Sequence, residues 1–302
     1  MKAVSPLVLA PPAVLLLLSM LMVSGYIVLG RAVSADIPTI GLVFWRTLVA
    51  IAMLGLLFAR RIRRQWPLLR SNWRTLLVLG ALQAVTGHML LLSALKSTTA
   101  LNAGVLMATQ PALTVVAAWL LIGETIRSRQ LIGLTIAALG ALAIVARGDI
   151  DVLVGLSFAP GDILVELAMV SFALYNVTVP RLSRELDPFV TFFGIVATTA
   201  LVIVPLYTFE LLWFDQQMRV DAPTLATVLY FAIFASILGI VFLNTAISKM
   251  GPARVGVYLY MLPVFTAFLA ILILGEAPQP YHFFGLTVVT LGVFLASRRG
   301  RA

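Results

Sequence analysis

From Pro12 to Ser297 the chain is a succession of apolar runs of about 17–25 residues, parted by short polar connections. A helix rises 1.5 Å per residue, so roughly 20 apolar residues cross the ~30 Å hydrocarbon core of a bilayer. Ten runs have that length, at approximately 12–30, 40–59, 75–95, 100–122, 130–146, 162–180, 188–209, 223–247, 253–274 and 281–297. Hydrophobic residues make up 61% of the 302 and charged residues only 11%, whereas a soluble domain carries about 25% charged residues. Such a chain has too little polar surface to coat itself in water, and the expected fold is an all-α integral membrane protein of ten transmembrane helices. The connections leave no room for a soluble domain; only 60–74 ("RRIRRQWPLLRSNWR"), 147–161 and 210–222 exceed a tight turn. Cysteine is absent, which excludes disulfides, thiolate nucleophiles and Cys-based metal sites.

The net charge of +9 would suggest nucleic acid in a soluble protein, but the positions of the cations explain it otherwise. With the N-terminus inside, sixteen Lys and Arg fall on the cytoplasmic side, among them Lys2, the six Arg of 60–74 and Arg298, Arg299 and Arg301. The opposite side holds four, Arg31, Lys96, Arg147 and Arg219. Cytoplasmic loops retain Lys and Arg, so both termini are expected in the cytoplasm, and the charge reflects topology rather than nucleic-acid binding. Lys2, the first apolar run and the small triplet Ala32-Val33-Ser34 faintly resemble a cleavable signal peptide. With a single n-region charge and nine further spans, an uncleaved first helix is the expectation.

Sliding the chain against itself gives a gap-free match at an offset of 152, in which 103–147 aligns with 255–299. The register pairs Gly104 with Gly256, Pro111 with Pro263, Gly123-Glu124 with Gly275-Glu276, Gly133 with Gly285 and Gly140 with Gly292. Glycine, proline and glutamate in register do not follow from apolar composition alone. The chain thus divides into repeats at 1–150 and 151–302 with five spans each, an odd number that sets the halves in opposite senses across the bilayer. Inverted repeats suit alternating access, because two equivalent halves can exchange conformations around one site.

The paired pattern Pro111-Gly123-Glu124-Gly133 and Pro263-Gly275-Glu276-Gly285, on ten spans in two five-helix halves, resembles the drug/metabolite transporter superfamily, specifically its EamA-type exporters. That resemblance implies a central cavity walled mainly by spans 1, 3, 4, 6, 8 and 9, and efflux of small metabolites such as amino acids across a bacterial inner membrane. Similar bacterial proteins include the YddG-like aromatic amino-acid exporters. The implied partners are a small-molecule substrate and the lipid bilayer, with no cofactor and no nucleic acid.

Ionisable side chains at membrane depth are functional candidates, and three stand out: Arg46, His88 and Glu166. Arg46 and Glu166 lie at comparable depth, so they can pair across the halves or snorkel separately to the interface. Either way Arg46 could attract a carboxylate. His88, near the middle of span 3, could carry a proton, donate to substrate, or simply bond a neighbouring helix. A metal site is not expected, since His282 belongs to the outer end of span 10. Among neutral groups, Gln83, Thr86, Thr109, Gln110, Asn176 and Asn244, with Tyr175, Tyr258 and Tyr260, are candidate cavity residues or interhelical glue. Pro111 frees a carbonyl near Met107, and it and Pro263 are candidate helix breaks for gating. Phe44, Trp45, Trp119, Phe172, Met89, Met107 and Met261 would suit an apolar substrate, though most such residues face lipid or other helices.

Gly123-Glu124 and Gly275-Glu276 read as structural joints rather than acids for catalysis. Glycine lets the chain turn out of the helix, and each glutamate can accept from the amides that open the following span. Gly133, Ala137 and Ala141, with Gly285 and Gly292, form small-residue ridges for close packing within the halves or at a dimer interface, so monomer and homodimer both stay open.

No GxxxxGK[ST] motif is present for ATP hydrolysis, so a secondary exporter of zwitterionic or apolar metabolites, amino acids first, is the leading expectation. A phosphate-ester or nucleotide-sugar antiporter would place several Lys or Arg in the cavity, where only Arg46 qualifies. An intramembrane enzyme would need HExxH, GxSxG or a comparable constellation, and none is found. A scaffold or lipid-flipping role stays open.

Overall fold

The structure, a computed structural model, describes residues 11–123, 128–146, 149, 159–182, 186–214, 218–240, 242–243, 246 and 261–297. The described residues are helical throughout, with short turns between helices. Six helices are long and apolar enough to cross a membrane: α1 (Pro12–Ala32), α2 (Thr39–Ser71), α3 (Trp73–Ala94), α4 (Ala100–Ile122), α6 (Pro160–Thr178) and α7 (Pro188–Phe214, apolar over Phe189–Trp213). Between and after them lie α5 (Ser128–Val145), α8 (Ala222–Leu238), α9 (Leu262–Leu274) and α10 (Pro280–Ser297). With its apolar helices and no soluble domain among the described residues, the chain is an integral membrane protein.

Local chemistry sets the helix ends. Proline stands in the first turn of α1, α6 and α8, where a missing N–H costs nothing. Thr99 and Asp221 cap α4 and α8, accepting the amides of Asn102 at 3.1 Å and Thr224 at 2.9 Å. At the other ends of α4 and α9, Gly123 (φ 69°) and Gly275 (φ 66°) adopt the left-handed conformation that a side chain would disfavour. One connection differs from the sequence expectation: residues 60–71, set apart there as a long link, continue α2 as helix. The helix bends at Phe58 (φ −119°, ψ 17°) and then carries on, because the Arg, Gln, Leu and Ile that follow are adequate helix formers.

Packing brings α2 against α7, α6 against α3 and α4, and α9 against α1. The tightest pairing is α5 with α10. A Cβ built on Gly140 would stand 2.7 Å from the Val289 nitrogen, and one on Gly292 only 2.3 Å from that of Ala137. The small-residue ridges therefore meet each other and join 128–145 to 280–297, rather than packing within 1–150 or within 151–302. Leu139, Leu142, Phe284 and Phe294 on the outer sides of this pair are exposed, as lipid-facing residues would be.

Gly292→Leu forces these backbones apart, and overpacking of this kind costs about 1–3 kcal/mol or more. It is expected to lower the thermal unfolding midpoint of the detergent-purified protein clearly below that of Phe284→Leu, a change on the exposed face. Equal midpoints for the two variants would contradict the close α5–α10 contact.

Candidate functional site

Besides the widened turn that ends α9 at Ala270–Leu274, two stretches of π-helical backbone interrupt the described helices, Leu82–Met89 in α3 and Phe231–Leu238 in α8. Such bulges leave a carbonyl without its usual helical donor and recur at functional sites. Each is answered by a side chain five residues on: His88 Nδ1 lies 2.7 Å from the Gln83 carbonyl oxygen, and Ser236 Oγ donates to that of Phe231 at 2.8 Å. With Nδ1 donating to that carbonyl, neutral His88 keeps Nε2 as an acceptor. Its ring packs edge-on against Tyr26 (5.5 Å) and Phe172 (5.3 Å).

These residues line a cavity of about 460 Å³ at the centre of the bundle. Of the residues anticipated from sequence, Arg46, Gln83, His88, Gln110, Tyr175 and Asn176 all line it, together with Met107 and Phe172. Two helices absent from the expected wall also contribute, α2 through Arg46, Thr47 and Ala50, and α7 through Phe192, Val196 and Thr199. Trp45 and Trp119 are instead exposed on the outside. Asn244, Tyr258 and Tyr260 lie outside the described residues, as do Glu124 and the side chains of Thr86, Pro111 and Met261. Pro263 is buried in α9.

Arg46 is only 6% exposed. Its guanidinium sits over the Tyr26 ring, 5.6 Å from the centroid, and makes one long contact of 3.4 Å to Ser236 Oγ. The expected alternatives, a pair with Glu166 or separate snorkelling, are both replaced. Glu166 is turned to α4, where it accepts from Thr109 Oγ1 at 3.1 Å, and no Arg46–Glu166 ion pair forms. Arg46 stays inside because α1 and α8 offer it an aromatic face and a hydroxyl. Two buried polar atoms here have no hydrogen-bond partner among the described residues, Arg46 Nε and the Tyr26 hydroxyl. Buried donors are normally satisfied, so this corner of the cavity is poised to accept polar atoms from a ligand.

A second, buried polar cluster, not marked in the sequence, gathers where α4, α6 and α10 begin. Asp162, fully buried in the first turn of α6, accepts from Thr98 Oγ1 and, at 3.3 Å, from Asn102 Nδ2. Asn102 Oδ1 in turn lies 2.7 Å from His282 Nε2, and the Gln279 amide donates to His282 Nδ1 at 2.8 Å. Glu276 accepts from the amides of both Ala100 and Leu101 at 3.0 Å. It thus caps α4, not α10 as expected from its neighbour in sequence. Arg31 adds a bond to the Leu95 carbonyl. The only signal available beforehand was that Asp162, Asn102 and His282 all stand at span ends, which gives no pairing.

Comparison with known proteins follows the same lines. Residues 10–146 and 159–298 each match the family model of the EamA-like transporter family. The uncharacterized transporter YetK of Bacillus subtilis is 29% identical over 292 residues, covering 92% of this chain and 84% of that one. An uncharacterized transporter of Archaeoglobus fulgidus is 26% identical over 291 residues, covering 94% and 96%. YyaM, another uncharacterized transporter of B. subtilis, is 25% identical over 250 residues, covering 82% and 80%. A solved crystal structure shares the fold, with a TM-score of 0.57 at 22% identity over 94% of this chain and 96% of that one.

Removing the Glu276 carboxylate leaves two amides at the α4 N-terminus without acceptors, a cost of about 1–3 kcal/mol. Glu276→Ala is expected to lower the unfolding midpoint more than Glu276→Gln, which retains one acceptor oxygen. Indistinguishable midpoints for wild type and the alanine variant would contradict the cross-chain cap.

Proposed function

Because the chain belongs to the EamA-like transporter family, we propose that it is a secondary transporter that exports small metabolites, most readily aromatic or apolar amino acids, across a bacterial inner membrane. One observation carries this reading: among the described residues a central cavity holds a single buried guanidinium, and neither its Nε nor the hydroxyl of Tyr26 beside it has a hydrogen-bond partner there. Its volume of about 460 Å³ lies in the range of small-molecule sites. A carboxylate would bond Arg46 and Tyr26, while Phe172, Tyr175 and His88 would flank an apolar or aromatic side chain. Gln83, Gln110 and Asn176 supply the neutral donors and acceptors an amino group needs. A phosphate ester would call for more than one cation, and among the described lining residues Arg46 is the only Lys or Arg.

In this reading the chain forms ten spans as two inverted halves, 1–150 and 151–302, with both termini in the cytoplasm. Inverted halves around one site suit alternating access without ATP. The polar cluster of Asp162, Asn102, His282 and Glu276 would then close the periplasmic end. Burial of Arg46 and Tyr26 against exposure of Asn176 supports a conformer that opens toward the cytoplasm. His88 and Glu166 are candidates for proton coupling, and Pro111 and Pro263 for gating.

Reconstituted into proteoliposomes, the protein is expected to move radiolabelled phenylalanine or leucine down a gradient. Loss of a charge-assisted hydrogen bond of about 1.5–3 kcal/mol would raise KM roughly 10- to 100-fold in Arg46→Leu, with the size-exclusion profile unchanged. Flux of a phosphorylated sugar without flux of any amino acid would overturn the proposal.

A further inference from the structure

A second cavity lies away from the central one, where the apolar part of α2 gives way to its arginines. Gly55, Ala59, Ile62, Arg63 and Trp66 line it from α2, and Phe193 of α7 forms the opposite wall. Spacings of three, one and three put Ala59, Ile62, Arg63 and Trp66 on one helical face, and Gly55 joins them from the other side of the bend at Phe58. The groove of about 460 Å³ exists because two residues on that face are small. A Cβ built on Gly55 would meet only Phe193, at 3.8 Å. On either side Leu56 and Leu57 are exposed, as chain-facing residues would be, and Trp66, 55% exposed, carries the kind of ring that favours a membrane interface.

The charge above this apolar floor is one-sided. Residues 60–74 contain six arginines and no Asp or Glu. Arg61 is compensated by Asp187 at 3.1 Å, and Arg74 stacks on Trp73. Arg60, Arg63 and Arg64 make no ion pair among the described residues, and Arg63 stands at the groove itself. We infer that this groove binds one phospholipid with a net negative headgroup, its acyl chain lying along Gly55 and Ala59 and its phosphate held by Arg63 with Arg60 or Arg64. Along α2 the apolar part of the groove at Gly55 and Ala59 is followed by the guanidinium groups of Arg60, Arg63 and Arg64, which is the order of acyl chain and phosphate in a lipid. Clustered arginines beside a span favour anionic over zwitterionic headgroups, and the apolar slot makes the contact a site rather than a diffuse attraction.

Native mass spectrometry of the full-length protein in detergent, titrated with phosphatidylglycerol or phosphatidylcholine, tests this directly. Phosphatidylglycerol adducts are expected to survive to higher collision energy than phosphatidylcholine adducts. Occupancy should fall about fivefold in Arg63→Gln and likewise in Ala59→Phe, which fills the exposed groove, but not in Arg74→Gln. Equal retention of the two lipids would overturn the inference. So would unchanged occupancy in Arg63→Gln, or an equal loss in all three variants, which would indicate only a general effect.

Discussion

Hydrocarbon offers no hydrogen-bond partners, so every polar group carried into the bilayer has to find one in the protein itself. Most of this structure answers that demand locally. Thr47, Thr114, Thr178 and Thr266 return their hydroxyl protons to carbonyls four residues back. His88 and Ser236 reach the carbonyls that the π-helical turns release. Where a helix begins, the answer comes from a distance: Glu276 takes the first amides of α4, and Asp162 gathers Thr98 and Asn102. Against that background, Arg46 Nε and the Tyr26 hydroxyl stand out, because they are buried and find no hydrogen-bond partner among the described residues.

Close backbone contact is the second constraint, and it explains where the glycines fall. Lipid gives helices no hydrophobic reason to associate, so contact area and polar bonds hold the bundle together. At α5–α10 the glycines allow main chain to touch main chain. At Gly55 the same lack of a side chain has the opposite outcome, since only Phe193 approaches and a groove is left open to the surroundings. The difference lies in the partner helix, which sequence periodicity does not reveal.

Much of this was legible in the residues. The runs that became α1, α2, α3, α4, α6 and α7 are readable because the bilayer fixes their length. The approximate depth of Arg46, His88, Gln83 and Gln110 follows from counting turns, which is why the same residues that look misplaced in an apolar run line one cavity. Partner choice was not legible. Glu276 sits four residues before α10 yet caps α4, because the fold brings the start of α4 beside it. Arg46 and Glu166 share a depth but face different neighbours, since depth says nothing of the azimuth of each helix. Tyr26 carried no mark in the sequence; only its burial beside Arg46 distinguishes it from an interfacial tyrosine.

That the Arg46 cavity is where the transported molecule sits is the central claim, and the absence of native cysteine makes it directly measurable. A single Gln110→Cys substitution places a thiol in the cavity wall without any background to remove. Its labelling rate by a membrane-impermeant maleimide is predicted to fall when a transported amino acid is added, and that protection is predicted to vanish when Arg46 is also changed to Leu. A labelling rate indifferent to a substrate that the same preparation demonstrably transports would place the pathway elsewhere and contradict the account.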